Sequence, residues 1–296
     1  MKKTAIIFSY NDGDLVLSPL HSVLNSDVDQ VFLLYGGESI SQEIAKIEDT
    51  RLIKVLERER KGKVRALNSI VANIGGDLVF LISGDVSFDP SLVKRCENSF
   101  TGTTGAVTVR VTPSNSDTLT ERIGSLMWEM HDVQLDYLSK MSSNVHAGEF
   151  ICVRKELLRN VPEVINEDAF LCLRAAHNGL SVNYLKDGEV QNIVPSNPFD
   201  LFQQRRRVNF GHIEISKMGL DPRIMDTLVF RETSLFLDVF VTFLKEKKWN
   251  PFVLFGAISI EILGILSARM DYLFGKDHRK WAMVKRRNHP ADLSGR

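Results

Sequence analysis

Four short stretches of this 296-residue chain carry residues whose types and spacing suit chemistry. Gly62-Lys63 opens a run, Val64-Arg65-Ala66-Leu67-Asn68, with helical character, so the N–H groups of a helix start and an ammonium group face one point. That arrangement suits a phosphate. Gly76-Asp77 then leads into the apolar run Leu78 to Ile82, which ends in Ser83-Gly84-Asp85, with Pro90 five residues beyond Asp85. An acid just past a buried strand reaches the same cleft, where Asp85 can hold a divalent cation, Mg2+ or Mn2+. Asn166-Glu167-Asp168 sets two acids at the start of a helical pattern, and Gln204-Arg205-Arg206-Arg207 sets three positive charges in a row. Taken singly, each has a plain structural use as a turn, a helix cap or a solvated basic face. Their order is what distinguishes them.

Such groups need elements that hold them. Thr4 to Ser9, Val31 to Tyr35, Leu52 to Leu56 and Leu78 to Ile82 are short apolar runs ending in turn residues, the signature of buried strands, and the first two read as parallel. Leu15 to Leu24 and Val64 to Ile74 have helical spacing, with Val64, Leu67, Ile70, Val71 and Ile74 on one face. Strand and helix thus alternate through the first ninety residues, which predicts an α/β domain with its ligand at the strand C-termini. Further on, the pattern predicts strands over Ala106 to Val111, Glu149 to Val153 and Val182 to Leu185. It also predicts helices over Leu119 to Leu138 and over Asp168 to Asn178, the latter closed by Gly179.

Composition narrows the class. Lys plus Arg and Asp plus Glu number 37 each, so no excess charge points to nucleic acid as a partner. Cys96, Cys152 and Cys172 are odd in number and far apart, and they read as buried apolar residues in a reducing compartment. The apolar run after Met1-Lys2-Lys3 is too short for a signal peptide, so a cytoplasmic location is expected. From about residue 229 the character changes, and the chain divides into residues 1–228 and a helical extension, 229–296. Leu235 to Leu244 and Pro251 to Ala268 are dense in apolar residues, interrupted by Asp238 and Glu261, and residues 271–296 carry seven Lys or Arg against three Asp. Apolar helices beside a basic tail with Trp281 suit the surface of an anionic membrane, here its cytoplasmic face. The alternative is a helical hairpin that closes the domain or forms a homo-oligomer.

The ordered motifs, Gly-Lys, Ala-Leu-Asn, Gly-Asp, an apolar strand, an acid with proline five residues on, Glu167-Asp168 and Gln204 to Val208 with Gly211, span residues 4–212. In that set the sequence resembles the family 2 glycosyltransferases. The resemblance implies a GT-A nucleotide-sugar-binding fold, a Rossmann-like mixed sheet flanked by helices. It implies transfer of a sugar, with inversion, from a UDP- or GDP-linked donor to a hydroxyl or phosphate of a glycan or lipid-linked acceptor, in polysaccharide or glycolipid synthesis. Asp168 would be the base that takes the acceptor proton. Asp85 would hold the metal, and Tyr10, Asn11, Lys63, Ser83, Gln204, Arg205 and Arg207 would hold the donor and its diphosphate. Gly148, Glu149 and Glu167 would contact the acceptor or the sugar. His146, a neighbour of Glu149, could likewise hydrogen-bond sugar hydroxyls, whereas His212 beside Gly211 carries no role in this assignment.

Departures accompany the likeness. Ser83 stands where the family has the first acid of its metal motif, Tyr35 and Gly36 where it has a base-recognising Asp, and Val208 where it has a tryptophan. Ser9-Tyr10-Asn11-Asp12 keeps an aromatic-Asn pair without the proline, and it offers no Gly-rich loop of the kind nucleotidyltransferases require. A non-catalytic sugar-nucleotide or lipid-binding module on the same fold is the remaining alternative, set apart from an enzyme by whether nucleotide is released.

Overall fold

The computed structural model describes residues 1–37, 42–59, 62–141, 145–146 and 148–278, with the backbone alone at 225, 226 and 230. Trp281, Lys280, Lys285 and the rest of the basic tail from 279 lie outside the described residues. The strands are β1 (Lys3–Tyr10), β2 (Gln30–Gly36), β3 (Leu52–Glu57), β4 (Leu78–Ser83), β5 (Ser87–Phe88), β6 (Thr104–Pro113), β7 (Phe150–Arg154) and β8 (Ser181–Asn192). They form one sheet in the order β3-β2-β1-β4-β7-β6-β8-β5. The β3-β2-β1-β4 half is parallel, as the buried apolar runs predict, whereas β7 lies antiparallel to β4 and β6.

Around the sheet lie α1 (Leu17–Leu24), α2 (Gln42–Lys46), α3 (Lys63–Ile70), α4 (Ser91–Asn98), α5 (Leu119–Lys140), α6 (Glu167–His177) and α7 (Pro198–Lys217). The chain continues through α8 (Met225–Arg231), α9 (Thr233–Glu246) and α10 (Pro251–Leu273). Side chains alternate across the strands, so Ile6, Phe32 and Leu81 meet α3 and α6 on one face. Ile7, Leu33 and Phe80 meet α1 and α4 on the other. The sheet is therefore buried on both sides, and the three cysteines are free thiols within these layers.

One predicted strand comes out longer. β8 runs from Ser181 to Asn192 rather than stopping at Leu185, because its pairing with β6 jumps from Val109↔Leu185 to Arg110↔Glu189. Lys186-Asp187-Gly188 bulge out of the ladder, so a turn-like composition conceals a continuing strand. α6 ends at His177 and is capped by Asn178, and the following Gly179 has a φ of 76°, the left-handed value expected of its position.

Local signals set the later helices. Thr118 and Glu121 form a reciprocal capping box at the start of α5, with N–H to side-chain oxygen distances of 3.1 and 2.9 Å. Asn250 Oδ1 accepts the Phe252 N–H at 2.9 Å, and Pro251 follows at the first helical position of α10. Phe243 from α9 and Val253 and Ala257 from α10 share a core with Ile123 and Leu126 of α5 and Leu201 of α7. α10 comes close to its neighbours at two glycines. A Cβ on Gly256 would stand 2.6 Å from Ile123, and one on Gly264 would stand 3.1 Å from Arg205. The C-terminal helices thus lie against α5 and α7.

Candidate active site

The parallel strands end at one edge, and their loops enclose a cavity of about 1980 Å3. β1 and β4 are neighbours in register, Phe8 opposite Ser83, so the loops that follow them begin side by side. Asn11 takes a left-handed φ of 59°, and its N–H donates to the Gly36 carbonyl at 3.1 Å. Asp12 accepts the Tyr10 N–H at 3.0 Å, and the same carboxylate lies against Gly84, where a Cβ would come within 2.7 Å of Asp12 Oδ2. The Tyr10 ring packs over Gly36, so an aromatic wall borders the end of β2.

Across the cavity, the start of α3 faces the start of α6. Lys63 is ion-paired with Glu167, a buried carboxylate, and its ammonium group lies 4.9 Å from the centre of the Phe8 ring. Burial alone would lower the Lys63 pKa. Glu167, then Asp168 and Glu149, outweigh it and hold the amine above its ordinary value. Asp168 behaves in the opposite way. Burial first, and the Glu167 charge second, push its carboxyl up from 3.8 to about 6 against the pull of Lys63. Its backing is close, since a Cβ on Gly148 would lie 3.1 Å from Asp168 Oδ2. Glu149 is held at a φ of 68°, a strained conformation for a side chain of its kind, and its carbonyl accepts the Ser83 N–H at 2.8 Å. The loop before β7 is thereby tied to the loop after β4.

α7 docks on the same corner. Asn166, just before α6, uses its side-chain amide to donate to the Val208 carbonyl at 2.9 Å. Gly211 leaves room for it, because a Cβ there would come within 2.6 Å of the Asn166 side chain.

All the residues assigned from sequence, Tyr10, Asn11, Lys63, Ser83, Asp85, Gly148, Glu149, Glu167, Asp168, Gln204, Arg205 and Arg207, border this one cavity. Arg205 nevertheless has a partner of its own. Its Nε and Nη2 donate to Glu261 of α10 at 2.7 and 3.0 Å, and Asn209 donates to the same carboxylate at 3.1 Å. Its neighbour Arg206 pairs with Asp271, at 2.6 Å for Nη2 to Oδ1. Sequence reasoning missed Glu261, which had shown only as a polar interruption in an apolar run. It also missed Trp128 and His131 of α5, and Glu57 at the end of β3, all on the cavity wall. The spacing of 124, 127, 128, 131 and 134 was the available signal, but it merges with the apolar pattern of the helix.

A metal must find its ligands among these groups. Among the described residues, no three His, Cys, Asp or Glu side chains converge as a closed metal cage. Mg2+ with a diphosphate needs less, since one or two carboxylates, the phosphates and water complete its shell. Asp85, with the Ser83 hydroxyl two residues before it in sequence, fits that requirement.

No curated protein sequence matches the chain. Among solved structures, it is similar to the mannosyltransferase PcManGT from Pyrobaculum calidifontis, solved with GDP-Man and Mn2+, at 15% identity and a TM-score of 0.64. That alignment covers 93% of this chain and 88% of the other. It is also similar to glucosyl-3-phosphoglycerate synthase from Mycobacterium tuberculosis, solved with Mn2+, UDP and phosphoglyceric acid. Here the identity is 17% and the TM-score 0.52, over 75% of this chain and 80% of the other. Both likenesses establish the fold, a GT-A mixed sheet with helices on each side. The profile of the family described as glycosyltransferase like family 2 matches residues 3–211, the span that contains the strand-end loops, the Glu-Asp pair and the arginine run. The chain belongs to the family 2 glycosyltransferases.

Proposed function

We propose that this glycosyltransferase moves a sugar from a UDP- or GDP-linked donor to an acceptor hydroxyl with inversion, using Asp168 as base. The convergence of Lys63, Asp85 and Asp168, from three different elements, on one cavity carries the reading. The donor diphosphate lies by the start of α3, where the N–H groups beyond Gly62 and the Lys63 ammonium group face it. A divalent cation at Asp85 supplies charge to the departing diphosphate when bound. Asp168 accepts the acceptor proton as the hydroxyl oxygen forms its bond to the anomeric carbon and the bond to the diphosphate breaks, its electron pair leaving with the nucleotide. Glu167 keeps Lys63 charged and in place. Arg205, forked onto Glu261, shapes the wall, and Gln204 and Arg207 remain the candidates on α7 for donor contact.

The enzyme works at the cytoplasmic face of a membrane, on a glycan or lipid-linked acceptor. Support comes from α10, which is long and apolar enough to cross a membrane, and from its outward stripe of Phe252, Phe255, Leu263, Leu266, Leu273 and Phe274. Its inward acids, Glu261 and Asp271, are paired with α7, so the helix lies on the domain with its apolar side outward.

Nucleotide release from a panel of UDP- and GDP-sugars, with Mg2+, Mn2+ or EDTA, tests the assignment. Release that requires the ion in the wild type, with Asp85→Asn folded but no longer responsive to it, is expected. Nucleotide release from no donor, or metal-dependent binding unchanged in Asp85→Asn, would overturn the proposal.

A further inference from the structure

The cavity extends beyond the strand-end loops into a part walled by helices. Here four rings run in a row from α5 to α7. Trp128 and His131 have ring centres 5.6 Å apart, His131 and His146 6.3 Å, and His146 and His212 5.2 Å. All four border the cavity. The row ends beside the reacting groups, because His146 precedes by two residues the glycine that backs Asp168, and His212 follows the glycine that packs on Asn166.

His131 bonds to the backbone of His146, whereas the far end of the row keeps an unmet nitrogen. His146 and His212 are each only 6% exposed, and His212 Nδ1 is buried with no hydrogen-bond partner among the described residues. A buried polar nitrogen left unpaired is costly, so a group that enters the cavity and bonds to it gains what the fold leaves unmet. Burial, then the neighbouring imidazole and Arg205, hold His131 down to about 3, and burial brings His146 to about 4. His212 is held well below its ordinary value for the same reasons. The imidazoles are therefore neutral, each with one donor and one acceptor nitrogen.

Neutral imidazoles match a hydroxyl, which both donates and accepts, and they give no charge to bind an anion. The carboxylates of Glu149, Glu167 and Asp168 line the adjoining wall; among the cations on the cavity, Arg205 is committed to Glu261 and Lys63 to Glu167, and Arg207 is assigned above to the donor. On the facing helix Val208 is aliphatic, and Trp128 offers a broad aromatic surface suited to the apolar face of a sugar ring, with Phe236 and Phe240 of α9 also on the cavity.

We propose that Trp128, His131, His146 and His212 form the acceptor subsite, which holds an uncharged sugar ring against Trp128 and presents its hydroxyl to Asp168. This rests on the glycosyltransferase reading and narrows the acceptor from any glycan or lipid-linked hydroxyl to that of a neutral saccharide.

The probes are the methyl glycosides of glucose, galactose, mannose and N-acetylglucosamine, with dodecyl phosphate as an anionic amphiphile. Binding is followed by saturation-transfer NMR in the presence of UDP or GDP. At least one glycoside should bind, and Trp128→Ala and His212→Phe should weaken it tenfold or more while nucleotide affinity and Tm stay near wild type. Trp128→Phe, which keeps an aromatic face, should recover most of the loss and guards against a folding defect. Glycosides that do not bind, binding unchanged in Trp128→Ala and His212→Phe, or dodecyl phosphate competing better than every glycoside would each overturn the subsite. Failure to bind or release any nucleotide would instead count against the glycosyltransferase reading, so the two failures are told apart.

Discussion

On the proposed mechanism, Asp168 carries the chemistry in a single proton. With its carboxyl raised to about 6, it is ionised at neutral pH yet basic enough to take a proton from a hydroxyl as that oxygen attacks. The rate should fall as pH drops through about 6, where the base becomes protonated, and a pH profile of kcat/KM for sugar transfer measures it. Asp168→Asn keeps the shape and the helix-start position, so turnover should drop roughly a hundredfold or more with little change in donor affinity. Stability should move the other way. Above pH 6 the carboxylate is charged in both folded and unfolded chains, but only the folded chain bears the burial and the nearby Glu167 charge, so Asp168→Asn should raise Tm there. Below about 4 the acid is protonated in both states and the gain should vanish. Thermal melts of the two proteins at pH 7.5 and pH 4 would show it, and an equal Tm difference at both would mean that Asp168 is not strained by charge.

At the scale of elements, the contact of α7 with α10 is the joint that closes the cavity. Arg205 is forked onto Glu261, with side chains 28% and 19% exposed, and Gly264 lets the helices meet at that level. Removing one charge leaves the other poorly solvated, so Glu261→Gln should cost about 2 kcal/mol, less than for a fully buried pair. The double variant Arg205→Met with Glu261→Leu should recover most of that loss in urea unfolding, and a double variant as unstable as the single would place the cost elsewhere.

Elements also show what a sequence can reveal. The parallel strands were legible because burial on both faces leaves apolar runs with turn residues at their ends. The full length of β8 was not, because Lys186-Asp187-Gly188 has the composition of a turn and acts as a bulge. Lys63, Asp85 and Asp168 stood out because each follows a local signal, a helix start or a strand end. The Arg205–Glu261 pair did not, since its partners are 56 residues apart and meet only when α10 folds back. Trp128 and His131 were hidden for a different reason, as polar-edged rings within the ordinary pattern of a long amphipathic helix.

For the molecule as a whole, α10 has two sides with separate duties. Its inner side closes the cavity, while Phe252 and Phe255 are 82% and 74% exposed on the outer side. Deleting the C-terminal helices would strip apolar partners from α5 and open the site, so substitutions on the outer face give the sounder test. Full-length protein should co-sediment with anionic liposomes and retain part of that binding in high salt, whereas Phe252→Ser with Phe255→Ser should weaken it severalfold without lowering Tm. Protein that stays in the supernatant with both anionic and neutral liposomes at low salt would remove the membrane role and leave the stripe to a second copy of the chain.

The thiols buried between the layers have a practical side. Cys96 is pushed up to about 12 by burial, and Cys152 and Cys172 are raised for the same reason, so little thiolate is present at neutral pH and reagents cannot reach the sulfurs. The folded protein should therefore be silent to maleimide, its labelling rate tracking the opening of the sheet itself. A single cysteine introduced on the outer face of α10 would then take a fluorophore alone, turning the enzyme into a reporter of its own surface contacts.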